Sequence, residues 1–314
     1  MEQSHNETQE EATTASAVRE DRAATVPCVQ PTAPMVTPQA CATCGTALAA
    51  NGNGNGATSP TFVYAIGRIE ARFPSLSLEK EFAQATGRSD TKGLTDRQAL
   101  QSVLARPENR YLVRQLCFVM TIEGLETYIL VPRDPSDISL LVEALRPLPQ
   151  PLDLDVVIGT LGPVAPPQMC NGLMVPIVAF DQIYSFDRDA LIKAIPRPEK
   201  TSAKEFGPAA EELFDRIMQM ADNAGATDEH RAVNYLAMRY QAIYAKASEY
   251  FAQNCSLTGV YVEPSSLSGT RKVLNVIFTY TNRNTDVDEQ WFVRVDVSDE
   301  FPFLVTKLSP YYGG

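Results

Sequence analysis

The cleanest alternation of apolar and polar positions lies near the C-terminal end. Trp291, Val293, Val295 and Val297 fall on one face of a period-2 run, and Gln290, Arg294 and Asp296 fall on the other, where Phe292 joins them. A second β-branched and aromatic run, 272–281, precedes it across the polar loop 282–286. Two such runs around an Asn/Asp/Thr turn predict a β-hairpin inside a longer β segment, 257–312. Upstream, the period changes to helical. Leu213, Phe214, Ile217, Met220 and Ala221 mark a helix over 209–224 that Gly225 ends. Val233, Leu236, Ala237, Tyr240, Ile243, Tyr244, Ala247 and Phe251 mark one long helix over 228–253, N-capped by Thr227. Only 225–227 separate the two, which predicts an antiparallel helical pair.

A Pro-rich linker at 196–202 divides this region from an earlier mixture of elements. There the pattern predicts a strand at 62–67 with an extension to 73, and helices at 78–86 and 95–105. A strand at 111–122 turns at Gly124 into a second at 126–131. A helix at 136–145, strands at 152–161 and 174–186, and a short helix at 187–195 follow. Strands and helices mix without strict alternation, so the expected class is α+β. Its N-terminal α/β half spans 59–200. Its C-terminal half, 201–314, packs a helical hairpin on an antiparallel sheet.

Residues 1–58 follow neither period. The first 22 are acidic, no charged residue occurs from 23 to 67, and prolines give way to an Asn-Gly repeat at 51–56. This composition predicts a disordered tail with any order centred on its cysteines. The chain's 314 residues are 44% hydrophobic and 21% charged, ample for a core. The net charge of -11, without a Lys/Arg cluster, argues against nucleic acid and anionic membranes as partners. No apolar run reaches the roughly 18 residues that span a bilayer. The acidic N-terminus is unlike a signal peptide, so a cytoplasmic location is expected.

Candidate chemistry is sparse. Six cysteines in such a chain argue for reduced thiols or a metal rather than disulfides. Cys41 and Cys44, with Gly45 permitting a tight turn, could share a tetrahedral zinc, and Cys28 and Cys170 are the candidates to complete it. The pair follows a Pro-rich coil, where a redox Cys-x-x-Cys would follow a strand. Cys117 and Cys255 read as packing residues. His230 stands in the first turn of its helix and, with His5, makes only two histidines. That count excludes two-histidine metal motifs and leaves a His-based triad poorly supported. No phosphate loop or Gly-x-Ser-x-Gly elbow occurs. Asp153, Asp155, Asp181, Asp187 and Asp189 read as scattered surface acids.

Five stretches together resemble a known family: 62–69, 169–177, 180–186, 231–240 and 292–296. They are similar to the C-terminal domain of unknown function of PatG-type cyanobactin maturation proteases, across roughly residues 60–312. The resemblance implies a role in maturing ribosomally made, modified peptides. It implies no protease, because the subtilisin-like domain and its Asp, His and Ser motifs are missing from this chain. It also places Cys170 in the family's Met-Cys-Asn-Gly loop. The expected function is a non-catalytic accessory protein that binds a precursor peptide or a peptide-processing enzyme. The alternatives are a metal-dependent enzyme using a Cys-ligated zinc on a peptide, and a homodimer formed through a β edge or helix face.

Overall fold

The first strand, β1 (Phe62–Arg72), carries two kinds of face along its length, and much of the architecture follows from that. Val63, Ala65 and Ile69 point one way and are buried, while Arg68, Glu70 and Arg72 point the other way and are exposed. A computed structural model of the chain describes residues 60–87, 93–197 and 203–313, with the side chains of 203–205 left aside. These residues belong to one compact unit, 57–314. The expected tail, with Cys28, Cys41 and Cys44, and most of the expected linker lie outside them.

β1 pairs antiparallel with β2 (Cys117–Ile122) on one side and β4 (Asp153–Val164) on the other. With β3 (Leu125–Pro132) and β5 (Pro176–Asp187) it closes a five-stranded barrel in the order β1-β2-β3-β5-β4. The β3–β5 pair is parallel and the others are antiparallel. Side chains from all five strands meet in one core, among them Val63, Phe118, Leu130, Val157 and Phe180. The same core takes in Leu78 of α1 (Leu76–Gly87), Val103 of α2 (Asp96–Leu104), Leu112 of α3 (Arg110–Val113) and Leu141 of α4 (Ile138–Ala144). A Thr95/Gln98 capping box starts α2.

The expected strand 111–122 forms only from Cys117. Leu112 and Val113 are adjacent yet both buried, which a helical turn allows and a half-buried strand does not.

After α5 (Arg188–Ala194), α6 (Ala203–Met218) leads into α7 (Asp228–Arg239) and α8 (Ala242–Ala252). The single long helix expected over 228–253 is therefore two. The chain leaves helical geometry at Tyr240, whose hydroxyl accepts the Leu308 N–H at 2.9 Å. The main packing partner of α6 is α8 and not α7, and α7 lies on β1 of the barrel.

The hairpin sits where its alternation put it. β7 (Val273–Asn282) and β8 (Asp288–Asp296) pair antiparallel, with β6 (Cys255–Pro264) along β7. The short β9 (Phe303–Leu304) and β10 (Ser309–Pro310) pair with β8. Val293, Val295 and Val297 are fully buried against Leu213, Phe214, Tyr244 and Ala247 of α6 and α8. The class is α+β with predominantly antiparallel sheets, as expected. Among the described residues no helix is long and apolar enough to cross a membrane.

Candidate functional site

On the outer face of β1, Tyr64 and Ile66 are covered by Met218, Tyr235 and Met238 of α6 and α7. The covering layer then stops, and Arg68, Glu70 and Arg72 continue along the same face into solvent. The step so formed is a cleft of about 630 Å³. Its apolar wall is Ile66, Leu154, Phe214 and Met218, and Thr121 and Gly124 of the β2–β3 hairpin close one side. The geometry begins with Gly67, where an added Cβ would strike the Thr121 carbonyl, so a larger residue there would push the hairpin from β1.

The arginines of the cleft are held in place. Arg72 of β1 pairs with Glu126 of β3, over the intervening β2. Arg188 donates from Nη1 to Asp215 Oδ1 at 3.0 Å, while its Nε stays 3.7 Å from Asp189, too long for a hydrogen bond. Arg68 binds the Pro151 and Asp153 carbonyls. Thr121 Oγ1 and Arg188 Nε are shielded from solvent without a hydrogen-bond partner among the described residues. Three guanidinium groups and the carboxylates of Glu70, Glu123, Glu126 and Asp215 thus surround an apolar wall. Such a surface can hold an extended segment bearing apolar anchors and charges of both signs.

Arg68 and Glu70 also line a smaller hollow of about 190 Å³ over Asp153 and Asp155. Asp155 is 1% exposed and accepts the Ile69 N–H at 2.8 Å and the Ser185 hydroxyl at 2.5 Å. Arg146 stands 3.7 Å from each carboxylate and donates to the Leu154 and Phe186 carbonyls. Burial pushes the Asp155 carboxyl above its ordinary range, against the pull of Ser185, Ile69 and Arg146. Reading these acids as scattered surface charge therefore needs correcting for Asp153 and Asp155. The available signal was their period-2 placement beside the buried run 156–158.

Asp181 needs the same correction. It meets Glu300 in a carboxyl pair, with Arg133 at 2.7 Å from Asp181 and 3.3 Å from Glu300. Burial first, then the hydrogen bond and like charge of Asp181, raise the Glu300 carboxyl to about 7. Asp187 caps α5 through the Ala190 N–H.

Cys170 is buried in the β4–β5 loop and forms a disulfide with Cys117 of β2. The expectation of reduced thiols is corrected at this pair, because the loop brings the two Cα atoms to 5.9 Å. Cys170 and Cys117 share a small apolar cluster with Val119 and Ile129. The Cys170 sulfur is committed to Cys117, and the other three proposed zinc ligands lie outside the described residues. Among the described residues no group of three or more His, Cys, Asp or Glu is placed to hold a metal. Cys255 packs in the C-terminal core. His230 is half-buried, and burial lowers its imidazole pKa against the Ala221 carbonyl.

Comparison with known proteins bears on the whole of this frame. Residues 200–311 match the family described as PatG C-terminal. A solved structure described as the PatG domain of unknown function is similar with a TM-score of 0.64 and 18% identity. It covers 80% of this chain and 99% of its own. None of the curated proteins matches. The chain thus resembles the PatG C-terminal family over residues 200–311 and shares its fold with the PatG domain of unknown function.

Proposed function

We propose that this protein is an accessory module that binds a peptide segment during maturation of ribosomally made, modified peptides. The observation that carries the reading is the cleft beside β1. Its apolar wall and its mixed guanidinium and carboxylate rim suit side chains of both kinds on one extended chain. The PatG likeness supplies the setting. The role proposed is binding and presentation to a processing enzyme.

The test is fluorescence anisotropy with short labelled peptides that carry apolar residues and both charge signs. Arg72→Glu and Leu152→Asp, the latter at a half-buried leucine that also lines the cleft, alter it without touching the barrel core and should each weaken binding by about tenfold or more. Equal affinity of both variants and the unaltered protein would remove the cleft from the function. A zinc on Cys28, Cys41 and Cys44 stays within the proposal as a separate feature of the tail. Equal metal content in the full chain and in a chain beginning at Ser59 would exclude it.

A further inference from the structure

A second cavity, of about 330 Å³, lies away from the cleft among α2, α3 and α4. Its floor is Leu104, Val113, Ile138 and Val142, all buried. Its mouth carries two arginines, Arg106 and Arg110, against one acid, Glu143. Arg106 is half-buried, Arg110 is exposed, and neither guanidinium has a carboxylate partner among the described residues. Elsewhere in this acidic chain Arg68, Arg97 and Arg294 are held by hydrogen bonds to uncharged oxygens, and six other arginines pair with acids. Arg72, Arg133, Arg146, Arg188, Arg231 and Arg271 each meet an Asp or Glu.

From this arrangement we infer that the cavity binds a carboxylate carried on an apolar tail. The tail occupies the Leu104–Val142 floor, and the carboxylate takes the Arg106 and Arg110 guanidinium groups at the mouth. Guanidinium presents parallel donors that match a carboxylate's two oxygens, which makes the choice of anion specific. The pocket volume sits at the small end of ligand sites, which suits one short chain and not a folded partner. Glu143 on the opposite rim repels a second negative charge, so a monoanion is favoured over a phosphate monoester.

A medium-chain fatty acid and a peptide ending in a free apolar residue share this chemistry. Titration calorimetry on the full chain separates them, with decanoate, decanol, a leucine-terminated peptide acid and the matching peptide amide as probes. At least one free acid should bind about tenfold or more tighter than its uncharged counterpart, as a charge-assisted pair requires. Binding by decanoate alone identifies a lipid-type acid, and binding by the peptide acid alone identifies a C-terminus. Arg106→Gln with Arg110→Gln should remove that preference while the uncharged probes are unaffected. Circular dichroism of the same variant checks that the fold is kept. Equal binding of acids and uncharged counterparts, no binding of any acid, or an unchanged preference in the variant would overturn the inference. Arg72→Glu in the β1 cleft should leave acid binding intact, so failure here and failure of the peptide reading are told apart.

Discussion

Asp155 shows what a single buried side chain can decide. Its carboxylate collects the Ile69 N–H, the Ser185 hydroxyl and the nearby Arg146 charge in a place with almost no water. Asp155→Ala strands those donors, and urea unfolding should report a loss of about 3 kcal/mol. Asp155→Asn keeps one acceptor and should cost less. Glu300 gives a pH signature instead. Its folded-state pKa of about 7 lies above the ordinary carboxyl value of 4.5. Between these values the unfolded chain releases a proton that the folded chain keeps, so its contribution to stability falls as pH rises and then levels off. Glu300→Gln should remove that fall, on the order of 1 kcal/mol after solvent screening, when chemical unfolding is compared at pH 5 and pH 8. Neither role was legible from the sequence, because one carboxylate in a strand looks like any other until its neighbours arrive from elsewhere in the chain.

Among elements, the α6–α7 connection is where the helical layer is fastened to the barrel. Gly225 has φ of +74°, and its carbonyl accepts the Tyr64 N–H at 2.8 Å. An added Cβ would strike the Tyr64 carbonyl and Ala65 Cα, so Gly225→Ala should cost about 2 kcal/mol or more in thermal or urea unfolding. The sequence expectation that Gly225 ends a helix over 209–224 needs correcting, because α6 spans Ala203–Met218. Gly225 instead lies in the connection that touches β1, a contact the sequence did not show. The break between α7 and α8 went unseen for a related reason. The apolar stripe runs on through Tyr240, and only the distant Leu308 N–H gives its hydroxyl a partner there. The loop closed by Cys117 and Cys170 offers another test at this scale. The two are 53 residues apart, for which chain-entropy reasoning gives roughly 4 kcal/mol of stabilisation. Reduction, or Cys117→Ser with Cys170→Ser, should lower the Tm by several degrees in calorimetry.

At the scale of the whole molecule, a barrel with its own helices and a separately covered antiparallel sheet share α6 and α7 as their common layer. That layer ends partway along β1, and the cleft of about 630 Å³ lies at its edge. The sequence by itself determined most element types, the Thr227 cap and the α+β class. It did so because hydrophobic period, Gly and Pro stops and capping residues act within a few positions of each other. The C-terminal hairpin is the clearest case, since every second residue of 291–297 had to face one core. Tertiary structure alone decided barrel closure, the choice of α8 over α7 as the partner of α6, and the Cys117–Cys170 bond. It also decided which acids are buried and where the two cavities open. Those outcomes depend on residues tens of positions apart meeting in space, and local periodicity carries no record of such meetings.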